Sequence, residues 1–232
     1  SIKNDGTFAA SSTISFTAGA ASALTSTISP TEATITADGT STQTITIQLK
    51  DANGNNLTTS GGTVTFAKME GDGTVSAVTD NGDGTYTVTI TAPTGTGTAR
   101  FAALLGTDTI RNGSGSDYVT MTYGPGAAVA AKSTLTPTTA SLTANGTTTQ
   151  VLTVQLKDAN GNNLTTGGAS VSIVQQTGTA TISSVTDNGN GSYTATVTSP
   201  TAAGTSVFVA LLGTDSIKND GTFAASSTIS FT

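Results

Sequence analysis

The stretch Asp80–Gly84, DNGDG, gathers oxygen donors and glycines at the density of a calcium-binding loop. Calcium takes about six to eight oxygens, usually several carboxylates with a bidentate Glu among them. No Glu follows at a spacing that would close such a shell. The matching stretch that opens at Asp187 has Asn190 where the first has Asp83. A tight hairpin turn accounts for the same letters, because Asn, Asp and Gly tolerate the positive φ that such turns require. DANGNN, at Asp51–Asn56 and again at Asp158–Asn163, poses the same choice. Identity between the two suggests an ion or a seam contact with the next module. Bonds from Asp and Asn side chains to their own backbone suggest a shaped loop, and that reading is the stronger. Asp80, Asp83, Asp51, Asp158 and Asp187 are therefore the calcium candidates, with no metal and no cofactor expected.

Catalysis is poorly supplied. His and Cys are absent, and the only Glu residues, Glu32 and Glu70, fall in the first half of the chain. A Ser or Thr nucleophile needs an adjacent base, and the candidates are Asp residues scattered through turns. Paired carboxylates for glycoside hydrolysis are not repeated between the halves. No enzyme and no catalytic residue are expected.

The elements that hold these loops follow from composition and period. Of 232 residues, 53 are Thr and only 9% are charged, so an uncharged polar surface and strands are favoured over helices. Fourteen acids against eight bases give a net charge of −6 with no basic run, which argues against nucleic acid and anionic membrane as partners. No apolar segment reaches the length of a membrane span.

Repeats organise everything else. LKDANGNNLTT at Leu49–Thr59 returns at Leu156–Thr166, 107 residues on. TDNGDGTYT at Thr79–Thr87 is answered by TDNGNGSYT at Thr186–Thr194, and ALLGTD at Ala103–Asp108 by the same letters at Ala210–Asp215. The seventeen letters Ser1–Thr17 recur as Ser216–Thr232, so the sequence reads as a window on an array whose two-module unit repeats. Its parts are residues 1–17, the terminal strand of a preceding repeat; 18–124, the first repeat; and 125–232, the second.

Within each repeat apolar residues alternate with polar ones: Ile45, Ile47, Leu49; Tyr86, Val88, Ile90; Phe101, Ala103, Leu105. About seven strands per hundred residues, with turns every 8–12, predict an all-β chain of two tandem immunoglobulin-like β-sandwiches. Pro30 and Pro137 interrupt the first strand of each repeat, where a switch between sheets is expected. The seam Tyr123–Pro137 carries no long flexible linker, so the sandwiches are expected to form an elongated rod.

STISPTEATITADGTSTQTITIQLKDANGNNLT at Ser26–Thr58, its counterpart STLTPTTASLTANGTTTQVLTVQLKDANGNNLT at Ser133–Thr165, and VTDNGNGSYTATVTSP at Val185–Pro200 closely resemble bacterial immunoglobulin-like domains of the invasin/intimin group. The resemblance spans nearly all of both repeats. It implies a stalk segment of a bacterial surface adhesin, extracellular, with neighbouring repeats of its own chain as partners and any binding tip elsewhere.

Two other readings stand beside the stalk. Ser1–Thr17, with Ile14 and Phe16 in interior phase, is a candidate self-association strand, as in a surface filament or layer subunit that exchanges strands. A carbohydrate-binding module would stack sugars on exposed aromatics, above all Trp, which is absent. Phe16, Phe66, Phe101, Phe208, Tyr86, Tyr193, Tyr123 and Phe231 take interior phase, while Phe8, Tyr118 and Phe223 are not placed by the pattern.

Overall fold

The computed structural model describes residues 13–112 and 117–232. The first repeat is built from β1 (Thr27–Ser29), β2 (Glu32–Thr36), β3 (Thr42–Gln48), β4 (Val64–Glu70), β5 (Thr74–Val75), β6 (Thr79–Asp80), β7 (Thr85–Thr91), β8 (Gly97–Leu105), β9 (Asp108–Thr109) and β10 (Val119–Gly124). The second follows with β11 (Thr134–Thr136), β12 (Thr139–Leu142), β13 (Thr149–Gln155), β14 (Val171–Thr177), β15 (Thr181–Ile182), β16 (Thr186–Asp187), β17 (Ser192–Thr198), β18 (Gly204–Leu212), β19 (Asp215–Ser216) and β20 (Ser226–Phe231).

Each repeat pairs its strands into two sheets with the same order. In the first they run β1-β3-β7-β5, with β6 on β7, and β2-β10-β8-β4, with β9 on β8. In the second they run β11-β13-β17-β15, with β16 on β17, and β12-β20-β18-β14, with β19 on β18. The break at Pro30 and Pro137 is the switch between sheets: β1 and β11 join one sheet, and β2 and β12 the other. Proline has no N–H for a ladder, so pairing stops there and can resume on the opposite sheet.

The alternating letters bury one face of each strand. Along β7 and β17 every second residue is buried, ending on Ile90 and Val197. Ile45, Ile47, Phe101, Ala103 and Met121 fill the first core; Leu152, Val154, Phe208, Ala210 and Ile229 fill the second. Phe66 stacks on Phe101 with ring centroids 5.7 Å apart. Asn112 and Asn219, which periodicity does not single out, fasten the first strand of each sandwich. Asn112 Oδ1 accepts from Ile28 N at 3.0 Å, and Asn219 Oδ1 accepts from Leu135 N at 2.6 Å.

One core position differs between the repeats. Ser227 sits wholly buried where the first repeat has the equally buried Val119. Its hydroxyl finds no hydrogen-bond partner. A buried unsatisfied hydroxyl costs about 1–3 kcal/mol, so Ser227→Val is expected to stabilise the second repeat by about 1–2 kcal/mol. Denaturant unfolding checks this, and a loss of stability would mean the site has no room for the extra methyl.

Of the strand expected over Ser1–Thr17, only the last five residues can be compared with the structure. Residues 1–12, Phe8 among them, lie outside the described residues. Thr13–Thr17 form no strand, and Ile14 and Phe16 are 72% and 92% exposed. The identical letters Ile229 and Phe231 are buried in β20, which lies between β18 and β12, antiparallel to the first and parallel to the second. A strand's apolar face is buried only when neighbouring strands supply the rest of the sheet, and Thr13–Thr17 have none.

The described residues divide into two compact units that do not part at the sequence seam. One lies within Ser1–Ala33, Gln43–Ile90 and Ala99–Met121; the other within Thr34–Thr42, Thr91–Thr98 and Thr122–Thr232. The tip made by Ala37–Gly39 and Pro93–Thr96 thus belongs to the unit that contains the second sandwich.

Candidate functional site

The acidic turns are hydrogen-bonded to their own backbone. Asp80 Oδ1 accepts from Gly82 N at 2.9 Å, and Asp83 Oδ1 from Thr85 N at 2.9 Å and Thr85 Oγ1 at 2.6 Å. In the second copy Asp187 accepts from Gly189 N at 2.8 Å and from Gly168 N at 2.6 Å. Asn190 Oδ1 does the work of Asp83, accepting from Ser192 N at 3.1 Å and Ser192 Oγ at 2.7 Å. A neutral amide serves as well as a carboxylate, so the position needs an acceptor and not a charge.

DANGNN is a buried carboxylate wrapped by its own loop. Asp51 Oδ1 accepts from Asn53 N at 3.0 Å and Asn55 N at 2.9 Å. Its Oδ2 accepts from Gly19 N at 2.9 Å and Asn55 Nδ2 at 3.0 Å. Asp158 repeats the set with Asn160 N, Asn162 N, Gly126 N and Asn162 Nδ2, each at 2.9 Å. Four donors occupy roughly the four lone-pair directions of a carboxylate, so a cation would have to displace them. Among the described residues no three His, Cys, Asp or Glu side chains come close enough to share a metal ion.

Gln48 and Gln155, just upstream, were not singled out by the alternation. The Gln48 amide donates toward the carbonyls of Leu49, Leu57 and Gly84 at 2.9–3.3 Å. Gln155 does the same for Leu156, Leu164 and Gly191 at 3.0–3.4 Å. One side chain thereby ties the DANGNN loop to the Gly-rich turn. The signal was present in the sequence: each Gln opens the longest string of letters identical in both repeats, QLKDANGNNLTT.

These contacts shift the carboxyl pKa values downward. The Asn55 amide, with the Gly19 and Asn55 N–H groups, brings Asp51 to about 2. Burial works against ionised Asp158, yet the Asn162 amide and the Gly126 and Asn162 N–H groups still hold it below the ordinary value. The Ser41 hydroxyl and N–H hold Asp38 well below the carboxylate range. Asp80, Asp83 and Asp187 are lowered chiefly by Gly82 N–H, the Thr85 hydroxyl and Gly189 N–H. A carboxyl with a folded pKa below its unfolded value of about 3.9 binds fewer protons folded than unfolded. It adds stability above that value and loses it as pH falls through the folded pKa. With no His to titrate, the melting temperature is expected to be flat from about pH 8 to 5 and to fall between about pH 4 and 2. Thermal melts across that range check this; a fall setting in near pH 6 would contradict it.

The second DANGNN loop also reaches beyond itself, within its own compact unit. Asn160 Nδ2 donates to the Ala37 carbonyl at 3.0 Å, and Asn162 Nδ2 donates to the Thr94 carbonyl at 2.8 Å. The seam contact set aside in favour of loop chemistry is therefore formed together with it, and it faces the preceding repeat. Asp158 holds the loop's shape while the two Asn amides face the tip.

A shallow groove recurs in both repeats, lined by Asp108 and Arg111 in the first and by Asp215 and Lys218 in the second. One acid and one base is not the carboxylate pair that glycoside hydrolysis uses. Among the described aromatics, Phe16, Phe223 and Tyr118 are exposed.

Sheet order, strand switch and turn chemistry together define two immunoglobulin-like β-sandwiches in tandem. Residues 22–124 and 129–231 each match the family described as invasin, domain 3, and the chain belongs to that family. The structure of invasin, a bacterial integrin-binding protein, is similar at 27% identity and a TM-score of 0.65, covering 92% of this chain and 41% of that one. FdeC, an Escherichia coli adhesin, is similar at 28% identity and 0.62, covering 92% of this chain and 66% of that one. InvD of Yersinia pseudotuberculosis is similar at 26% identity and 0.59, covering 91% and 58%. No curated protein matches the chain.

Proposed function

We propose that this chain is a spacer segment of a bacterial surface adhesin, holding a binding tip away from the cell. The chain spans 41% to 66% of the similar chains, two of which are named as an integrin-binding protein and an adhesin. The observation that carries the reading is that both repeats spend the same Asp and Gln side chains on the same internal bonds. Asp51 and Asp158 each take four donors from their own repeat, and Gln48 and Gln155 each clamp three carbonyls. Calcium and catalysis have no part in this reading.

A second reading, self-assembly by strand exchange, is favoured by one observation: Ile14 and Phe16 are exposed while their duplicates Ile229 and Phe231 are buried. Burying the pair contributes about 1.5–3 kcal/mol per side chain, weak support for a dimer in dilute solution. Sedimentation at rising concentration separates the two. The spacer is expected to stay monomeric and equally stable in calcium and in chelator. A series of oligomers would favour strand exchange, and stability that depends on calcium would overturn the metal-free account.

A further inference from the structure

The contact of Asn160 and Asn162 with the Ala37–Thr94 tip uses residues that both repeats possess, yet among the described residues it occurs once. The first repeat carries the same loop with Asn53 and Asn55 in place of Asn160 and Asn162. Its geometry is already set, because Asp51 is wrapped by the same donors as Asp158. The second repeat carries the same tip, with Ala144 and Thr201 in place of Ala37 and Thr94. That tip has the same build. Gly39 N bonds Pro93 O at 3.2 Å, and Gly146 N bonds Pro200 O at 3.2 Å. Asp38 caps the turn through Ser41 N at 2.6 Å, and Asn145 caps its counterpart through Thr148 N at 2.9 Å.

Burial differs at two of the four matched positions, while Asn160 and Asn53, and likewise Thr94 and Thr201, are exposed alike. Ala37 is fully buried, while Ala144 is only half-buried. Asn162 is half-buried, while Asn55 is exposed. The chain thus presents an uncovered loop on its first repeat and an uncovered tip on its second, complementary by the template it contains.

We propose that the loop Asp51–Asn56 docks the Ala144–Thr201 tip of another copy of the same two-repeat unit, with Asn53 donating to the Ala144 carbonyl and Asn55 to the Thr201 carbonyl. The occupant is a further copy of the unit, chosen because Ser1–Thr17 repeats the letters that close the second repeat. The inference rests on the spacer reading and deepens it: successive repeats are clasped, not merely strung together. Two amide hydrogen bonds form the clasp, each a modest net contribution because water competes for the same groups. That is too little to join separate chains in dilute solution, and enough to orient neighbours that a short connection already holds together.

The absence of Cys makes the test clean. Two units are joined in series through the shared seventeen letters, and spin-label pairs are placed at exposed sites beside each contact. Ala159→Cys with Gly95→Cys reports the contact seen within one unit. Ala52→Cys of the second unit with Ala202→Cys of the first reports the proposed one. The expected result is the same narrow distance distribution for both pairs, and Asn53→Ala with Asn55→Ala in the second unit broadens only the latter. A broad or displaced distribution for the second pair, or no response to the Asn substitutions, overturns the clasp. A mobile junction of this kind would leave the spacer reading standing, whereas oligomers in sedimentation would strike the spacer reading instead.

Discussion

Phe208→Ala is expected to destabilise the second repeat by about 3–5 kcal/mol, and Phe101→Ala the first repeat by a similar amount. Both rings are fully buried, opposite Gln175 and Lys68 in their sheets. Truncation removes the transfer energy of the ring and leaves a cavity that a β-sandwich core closes only partly. Phe101→Ala also strips Phe66 of its stacking partner, worth about 0.5–1.5 kcal/mol more. Since a domain of this size is stable by only about 5–15 kcal/mol, either variant approaches the unfolding threshold. Calorimetry checks the effect. Only the transition of the altered repeat should move; equal movement of both would show a single cooperative unit.

Gly191→Ala is expected to cost about 3 kcal/mol or more, while Gly189→Ala, two residues away, costs about 1 kcal/mol. Both glycines have positive φ, 81° and 75°. A Cβ on Gly189 meets open space, whereas a Cβ on Gly191 overlaps the carbonyl of Leu164. That carbonyl cannot step aside freely, because Leu164 N bonds Leu156 O at 2.9 Å and Gln155 reaches over both. Gly84 faces the carbonyl of Leu57 in the same way, so the first repeat should respond alike. Chemical denaturation of the two variants checks the contrast. Equal losses would mean that backbone conformation alone, and not the close approach, demands glycine.

Much of the fold was legible because β-structure with one buried face writes itself as alternation. Tyr86, Val88 and Ile90 announced β7, and the two prolines announced the strand that changes sheets. Three features were not legible, each for a physical reason. Ile14 and Phe16 have the same local pattern as Ile229 and Phe231, but burial is decided by strands far off in sequence, so equal letters met opposite fates. Gln48 and Asn112 act through side-chain amides on distant backbone, which leaves no periodic trace. The loop Asp158–Asn163 was legible as a shaped turn, because its Asp-to-backbone bonds are local. Its hold on the Ala37 and Thr94 carbonyls was not, since those lie 123 and 68 residues away along the chain.

The central claim is that these repeats extend a protein without performing chemistry, and small-angle scattering tests it most directly. A compact globule of 232 residues has a radius of gyration of about 17 Å. The spacer account predicts a value clearly above this, and a maximum dimension that grows by an equal step with each unit added in series. A radius near that of the globule, or a dimension that grows only as the cube root of length, would contradict it.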